Sequence, residues 1–156
     1  MLQIGDSVLT ESAAIAIYLA ERYGSGRLIP AGDSPDRGQF LRWCFFAMME
    51  LDAHTMYVLR KHVALVDIYG EAPAAVRTAQ EGYQRQIRVV ADAFSDNRPY
   101  ILGDQFTVAD ILLVSCIMDD PAGIGVVMDI PGSVLDYARR LKQRKAFTQA
   151  LEVNRG

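Results

Sequence analysis

The stretch Phe106-Thr107-Val108-Ala109-Asp110-Ile111 contains the sharpest local signal in the chain. Thr107 is a residue type that caps helix N-termini, and Asp110, three positions later, can return a hydrogen bond to the backbone N–H of the cap. Phe106 and Ile111 occupy the positions at which two apolar side chains pack across the first turn. The stretch predicts a helix that begins at Thr107, with Thr107 and Asp110 as a structural capping box and not as catalytic residues.

Apolar periodicity predicts further helices on both sides of this box. We expect helices over residues 10–23, 35–63, 73–94, 107–118, 133–143 and 146–153. Pro35 suits the first turn of the longest helix, because a proline there loses no intrahelical hydrogen bond. The apolar residues of this helix form two rows, so we expect it to be buried on two sides. The pattern predicts a mainly α fold built as a helical bundle.

The chain begins differently. Leu2-Gln3-Ile4 and Ser7-Val8-Leu9 are short strand-like pieces, and the Gly5-Asp6 pair between them is typical of a tight hairpin turn. Residues 25–35 are rich in glycine and proline, which indicates a linker of low helix content. We therefore predict an N-terminal piece over residues 1–24, a linker over 25–35 and a helical domain over 36–156.

Composition excludes several classes of protein. With 156 residues, 51% of them apolar, the chain can bury one sizeable core. Its 16 basic and 19 acidic residues give a net charge of -3, so nothing favours binding to nucleic acid or to an anionic membrane. No apolar run approaches the length that spans a bilayer, and the N-terminus lacks a signal-peptide pattern, so we expect a cytoplasmic protein.

The residues that bind metals in proteins are scattered. Cys44 and Cys116 lie far apart, with neither a CxxC pair nor a histidine cluster nearby. His54 and His62 are eight positions apart, too far to bind one metal from adjacent turns, and we expect them on an exposed face. We therefore expect neither a metal site nor a disulfide.

Two segments resemble the glutathione transferase family. Residues 100–111, Tyr-Ile-Leu-Gly-Asp-Gln-Phe-Thr-Val-Ala-Asp-Ile, look like the buried capping-box segment of that family's helical domain. Residues 9–15, Leu-Thr-Glu-Ser-Ala-Ala-Ile, with Tyr18 and Leu19, look like the last strand and third helix of its thioredoxin-like domain. The linker and the long helix fit the same template. The resemblance covers essentially the whole chain and implies a bacterial-type cytosolic member, with a helical bundle preceded by a β-hairpin and helix remnant of a thioredoxin-like domain.

The resemblance implies that Glu11 and Ser12 bind glutathione as a co-substrate, with no other cofactor. In the family, an acidic or amide residue and a serine at the start of the third helix hold the γ-glutamyl end of glutathione. A helix N-terminus offers free N–H groups to a carboxylate, the Ser12 hydroxyl adds a donor, and Glu11 attracts the ammonium group. Spacing alone favours the alternative, in which Thr10 or Ser12 is a plain helix cap and Glu11 a favourable first-turn charge.

The resemblance also implies a pocket for a hydrophobic electrophile beside the long helix. The stretch that fits this role contains Phe46, Met49, Asp52, Ala53 and Met56. Methionine suits adaptable surfaces, and Asp52 in an apolar helix needs water or a partner, which a cleft would supply. Packing in the core is the alternative for each of these residues.

The sequence departs from the family where thiolate chemistry is concerned. The family's thiolate-activating Tyr, Ser or Cys and its cis-proline have no counterpart in this chain, and Tyr18, Tyr57 and Tyr83 fit helix packing better than that role. We expect Met1 to be an internal methionine of a longer ancestral or actual protein. We therefore assign no catalytic residue in this chain.

Two classes of function remain open. The chain is either part of a glutathione transferase that conjugates glutathione to a hydrophobic electrophile once the missing half is supplied, or a non-catalytic helical interaction or dimerisation module. A truncated inactive fragment is a third possibility, which predicts poor solubility because apolar faces would be exposed. A homodimer is expected from the resemblance.

Overall fold

A computed structural model describes residues 1–117 and 128–154 and shows a mainly helical protein with one small hairpin. Strands β1 (Leu2–Ile4) and β2 (Ser7–Leu9) pair antiparallel, with Leu2 opposite Leu9. Gly5 takes a φ of 58° in the turn, a conformation that costs glycine little because it has no Cβ. The predicted hairpin is confirmed.

Helix α1 (Ser12–Tyr23) follows the hairpin and packs on α6. Its inward face is formed by small residues and one isoleucine, namely Ala13, Ala16, Ile17 and Ala20. The larger apolar residues Ile15, Tyr18 and Leu19 are not part of this face. Ile15 and Tyr18 are only half-buried, and Leu19 is exposed. Small side chains allow α1 to lie close to the bundle. Apolar periodicity instead predicts that the larger apolar side chains face the core.

The long predicted helix is one helical path that changes its winding. It consists of α2 (Asp36–Phe46), a π-helical segment π1 (Ala47–Met56), a short α3 (Tyr57–Leu59) and a second π-helical segment π2 (Arg60–Ala64). A separate short helix, α4 (Val66–Tyr69), follows after a break at Leu65, which has φ -115° and ψ 32°. In the π-helical segments the backbone bonds reach five residues back, as from Tyr57 N–H to the Asp52 carbonyl. The predicted end near residue 63 agrees with the end of π2 at Ala64.

Side chains form hydrogen bonds with backbone carbonyl groups of π1. The buried Thr55 hydroxyl donates to the Leu51 carbonyl, four residues back, where an α-helical N–H would otherwise bind. The Cys116 thiol lies 3.7 Å from the Ala47 carbonyl at the start of the same segment. Competition of this kind is one identifiable cause of a local change in helix winding. Apolar periodicity contains no signal for it.

The remaining helices lie close to their predicted positions. They are α5 (Pro73–Ala93), α6 (Val108–Ser115), α7 (Gly132–Lys142) and α8 (Lys145–Asn154). Helix α5 packs along π1 and α3, while α6 contacts α1, α2, π1 and α7. The last predicted residue of α6, Met118, lies outside the described residues. Helix α6 is the central element, and its residues from Val108 to Val114 are buried except for Ile111.

The linker is attached to the bundle by its backbone. The Val108 N–H donates to the Leu28 carbonyl at 2.8 Å, and the Gln105 side chain donates to the Arg27 carbonyl at 3.3 Å. Arg37 in α2 forms an ion pair of 2.6 Å with Glu21 in α1 and also donates to the Pro30 carbonyl. These bonds connect the linker to the start of α6 and to α2, and they connect α1 to α2. The predicted domain boundaries remain a prediction.

Candidate functional site

The N-terminus of α1 is exposed and uncapped. Ser12 is the first residue of the helix, and Glu11 precedes it with φ 64° and ψ 113°, in the positive-φ region that non-glycine residues rarely adopt. The Glu11 carbonyl accepts the first helical bond, from Ile15 N–H at 2.9 Å. No side chain of residues 1–117 and 128–154 caps this helix. The first-turn N–H groups are therefore left to solvent or to a ligand.

This end of α1 has the chemistry of a carboxylate-binding site. Uncapped N–H groups and the positive end of the helix dipole favour an anion, and the Ser12 hydroxyl adjoins them. Both Glu11 and Ser12 are exposed, so both side chains are accessible to a ligand. Backbone strain at a non-glycine residue is a feature that clusters at ligand sites. The reading of Ser12 as a plain cap finds no support, because Glu11 takes the cap position and makes no capping bond.

Thr107 and Asp110 form a capping box at the start of α6. Asp110 is fully buried, and its carboxylate accepts bonds from Thr107 N–H at 2.8 Å and from the Thr107 hydroxyl at 3.2 Å. The same carboxylate also accepts Ile101 N–H at 2.9 Å and the Tyr137 hydroxyl at 2.8 Å. The last two partners could not be read from local spacing, because they lie 9 and 27 residues away.

Burial sets the acid–base properties of this network. Loss of water raises the pKa of the Asp110 carboxyl above its usual value, while the hydrogen bonds from Ile101, Thr107 and Tyr137 oppose the rise. Burial and the nearby Asp110 carboxylate raise the pKa of Tyr137 well above that of a free phenol. Neither group is accessible to a substrate, which agrees with a structural role.

The predicted electrophile-pocket residues occupy different environments. Met56 is only 2% exposed and belongs to the core, and Phe46 is half-buried with its ring 5.3 Å from that of Trp43. Met49 is 48% exposed, Ala53 is exposed, and Asp52 is half-buried. Met49, Asp52 and Ala53 therefore present accessible surface on π1, whereas Met56 does not.

The tyrosines considered for thiolate chemistry also differ. Tyr83 is buried, and its hydroxyl donates to the Cys116 carbonyl at 2.8 Å. Tyr57 is exposed, with the Lys61 ammonium 4.9 Å from its ring centroid, and Tyr18 is half-buried in α1. His54 and His62 lie on the same helical path, and His62 is bonded to the Gly70 carbonyl at 2.9 Å. Among the described residues, no hydrogen bond or ion pair joins these tyrosines and histidines to Glu11 or Ser12.

A cavity of about 300 Å³ lies where the linker, α6, α7 and α8 meet, and sequence reasoning missed it. Its lining is apolar apart from one arginine and consists of Leu28, Phe106, Ile111, Val114, Leu141, Arg144, Ala146, Phe147 and Ala150. Phe106 and Ile111, the pair expected to pack across the first turn of α6, both line it. No local pattern could reveal this cavity, because its walls come from four separate parts of the chain.

Two searches of the described residues concern other classes of site. No group of three or more His, Cys, Asp and Glu side chains in residues 1–117 and 128–154 could hold a metal ion. No helix within these residues is long and apolar enough to cross a membrane.

Known proteins resemble both the sequence and the fold. Residues 46–118 match the family model "Glutathione S-transferase, C-terminal domain". Glutathione S-transferase theta-1 of Gallus gallus is 24% identical over 164 aligned residues, covering 98% of this chain and 60% of that protein. The glutathione transferase of Methylococcus capsulatus str. Bath has a TM-score of 0.78 and 25% identity, covering 97% of this chain and 70% of that one.

A sphingomonad glutathione S-transferase solved in complex with glutathione has a TM-score of 0.75 and 26% identity, covering 97% of this chain and 71% of that one. The chain spans 60%, 40% and 55% of the lengths of three curated relatives that it matches. The family model, the curated relatives and the solved structures all name glutathione transferases. Residues 46–118 thus match the C-terminal domain of the glutathione S-transferases, and over nearly its whole length the chain is similar in sequence and fold to glutathione transferases.

Proposed function

We propose that the chain provides the helical domain and the γ-glutamyl-binding end of an enzyme that conjugates glutathione to a hydrophobic electrophile. The uncapped N-terminus of α1, with Ser12 at its first position and Glu11 in a positive-φ conformation, is the observation that carries this proposal. The residue that stabilises the glutathione thiolate is proposed to lie outside these 156 residues.

The chemistry of the γ-glutamyl group fits this end of α1. That group carries one carboxylate and one ammonium at neutral pH. The first-turn N–H groups and the Ser12 hydroxyl suit the carboxylate, and the exposed Glu11 carboxylate suits the ammonium. The sphingomonad relative was solved with glutathione bound, which supports glutathione as the ligand.

Calorimetric titration of the purified chain with glutathione tests the proposal. We expect saturable binding that both Glu11→Ala and Ser12→Ala weaken by about tenfold, the loss of one charge-assisted hydrogen bond. Ser133→Ala is the matched control, because Ser133 is an exposed serine in the first turn of α7. The absence of binding to a folded chain, or equal losses in the control, would contradict the proposed site.

For the electrophile, we propose contact with Phe46 at the end of α2 and with the accessible residues of π1, namely Met49, Asp52 and Ala53. Their exposure supports this assignment, and the burial of Met56 argues for leaving that residue out. In an assembled, active enzyme, Met49→Ala should raise the KM for an apolar electrophile and leave the KM for glutathione unchanged. An unchanged electrophile KM would count against π1 as a pocket wall.

An interaction module is the second candidate function, and exposed apolar residues on the N-terminal piece favour it. Tyr23 is 70% exposed, Val8 56% and Leu19 38%. If these side chains form a homodimer interface, Leu19→Gln and Tyr23→Ser should weaken self-association in sedimentation equilibrium. Unchanged association would remove this surface from consideration. The homodimer and the cytoplasmic location remain predictions.

A further inference from the structure

Helix α1 is joined to the helical domain by few contacts. It packs on α6 through small side chains and one isoleucine, whereas Leu19 and Tyr23 are exposed. In the part of the chain that the structure describes, one ion pair is the only hydrogen bond or ion pair between residues 1–24 and the helical domain. It joins Glu21 in α1 to Arg37 in the first turn of α2.

Arg37 connects three segments of the chain. Its guanidinium group donates to the Glu21 carboxylate at 2.6 Å and to the Pro30 carbonyl of the linker at 3.1 Å, and it lies 5.5 Å from the centroid of the buried Phe40 ring. The Arg37 side chain is only 23% exposed, so water and salt screen its ion pair less than a pair on the open surface. A cation in the first turn of a helix faces the positive end of the helix dipole, so the stability of α2 alone does not account for an arginine there.

The N-terminal piece depends on the bundle for its structure. Helix α1 has 12 residues, and isolated helices shorter than roughly 12–15 residues are marginal in water. A two-stranded hairpin is also marginally stable alone, and none of residues 1–9 belongs to the hydrophobic core of the described residues. We therefore expect α1 to keep its helical structure only while it is docked, that is, packed on α6 and paired with Arg37.

We propose that Arg37 is a positioning residue for glutathione binding, because it holds α1 in the docked state that the site at Glu11 and Ser12 needs. This inference rests on the proposed function of α1. An undocked α1 loses its helical first turn and, with it, the aligned N–H groups that suit the γ-glutamyl carboxylate. Only docked molecules then bind glutathione, so the apparent Kd is the intrinsic Kd divided by the docked fraction. By linkage, bound glutathione in turn favours docking.

Hydrogen–deuterium exchange followed by mass spectrometry tests this inference, with and without glutathione. Arg37→Gln should speed exchange of the α1 amides about fivefold, since it removes a partly buried charged contact, and should leave the α5 amides unchanged. Glu21→Gln should act similarly, and the double variant should exchange about as fast as Arg37→Gln, because both substitutions remove the same ion pair. Glutathione at about 100 times its Kd should slow α1 exchange in the wild-type chain and in Arg37→Gln, because it binds only docked α1.

Arg98→Gln is the matched control, because Arg98 also pairs with a carboxylate at 2.6 Å, but its partner Asp96 lies in the same loop. Arg37→Lys should restore part of the protection of α1, because lysine keeps the charge but cannot reach Glu21 and Pro30 through one planar fork. Unchanged α1 exchange in Arg37→Gln, an equal increase in Arg98→Gln, or an increase that extends to α5 would overturn the inference.

The glutathione measurements separate this inference from the function on which it rests. If calorimetry shows glutathione binding while α1 exchange stays unchanged, binding does not need the docked state, and only the role of Arg37 is wrong. If calorimetry shows no glutathione binding to the folded chain, the proposed function is wrong, and this inference fails with it.

Discussion

At the scale of single residues, Asp110 connects three parts of the fold through one carboxylate. It binds the backbone of Ile101 in the loop before α6, the cap residue Thr107, and the hydroxyl of Tyr137 in α7. Every partner is buried, so each loses its contact with water on folding and depends on this carboxylate for its hydrogen bond. The side chain therefore fixes the position of α6 relative to α7.

Asp110→Ala should lower the free energy of unfolding by about 3 kcal/mol or more. The substitution leaves the N–H groups of Ile101 and Thr107 and the Tyr137 hydroxyl buried without their acceptor, and each unsatisfied donor costs about 1–3 kcal/mol. Urea unfolding followed by circular dichroism measures the change.

Asp136→Ala is the control for this measurement. Asp136 pairs with Arg139 at 2.8 Å on the exposed face of α7, and exposed pairs contribute about 0–1 kcal/mol. The predicted role of Asp110 would be wrong if both substitutions changed the stability by the same small amount.

At the scale of elements, α5 approaches π1 closely at one glycine. A Cβ added to Gly82 would lie 3.3 Å from the Thr55 Cγ2 atom, which is tighter than an ordinary contact. Gly82 lies in the middle of α5, where glycine costs about 1 kcal/mol relative to alanine. Helix propensity and packing therefore act in opposite directions at this position.

The balance between them can be measured with a double-mutant cycle. Gly82→Ala should stabilise the Thr55→Ser protein by about 0.5–1 kcal/mol, because serine keeps the hydroxyl but removes the methyl group that the new Cβ would meet. In the wild-type background the gain should be smaller or absent. Equal increases in stability in both backgrounds would show that the Thr55 methyl group does not hinder a Cβ at position 82.

At the scale of the whole molecule, the core contains two thiols that water does not reach. Burial raises the pKa of Cys44 and of Cys116 to about 12 in each case, from an ordinary value of 9.0. Between pH 9 and 12, the unfolded chain therefore loses thiol protons that the folded chain retains. Folding then becomes less favourable as the pH rises, and Tyr137, with its raised pKa, acts in the same direction at higher pH.

Stability should consequently fall from about pH 8.5 upward, with a slope of up to about 1.4 kcal/mol per pH unit for each thiol. The double variant Cys44→Ala/Cys116→Ala should be less stable at pH 7, because it loses packing, but should show a shallower decline. Urea unfolding between pH 7 and 10 measures both slopes. Parallel declines would mean that groups other than the thiols cause the alkaline loss.

The sequence by itself determined the features that depend on neighbours along the chain. Hairpin pairing needs only a turn between two short strands, and the capping bond from Asp110 to Thr107 spans three residues, so local spacing was enough for both. The bounds of α5, α7 and α8 also agreed with the predictions to within one residue. The strand-and-helix segment at residues 9–15 and the capping-box segment at residues 100–111 were the basis for the resemblance to glutathione transferases.

Only the tertiary structure decided features that unite distant segments. Asp110 accepts a hydrogen bond from Tyr137, Met56 is buried in the core, and the Arg144 guanidinium lies over the Phe106 ring. These contacts depend on how the helices pack, and apolar periodicity does not indicate which helices are neighbours. The π-helical winding of residues 47–56 involves the Thr55 hydroxyl and the Cys116 thiol acting on backbone carbonyls. Local propensity governs where helices begin and end, whereas packing between helices governs which side chains are available for binding.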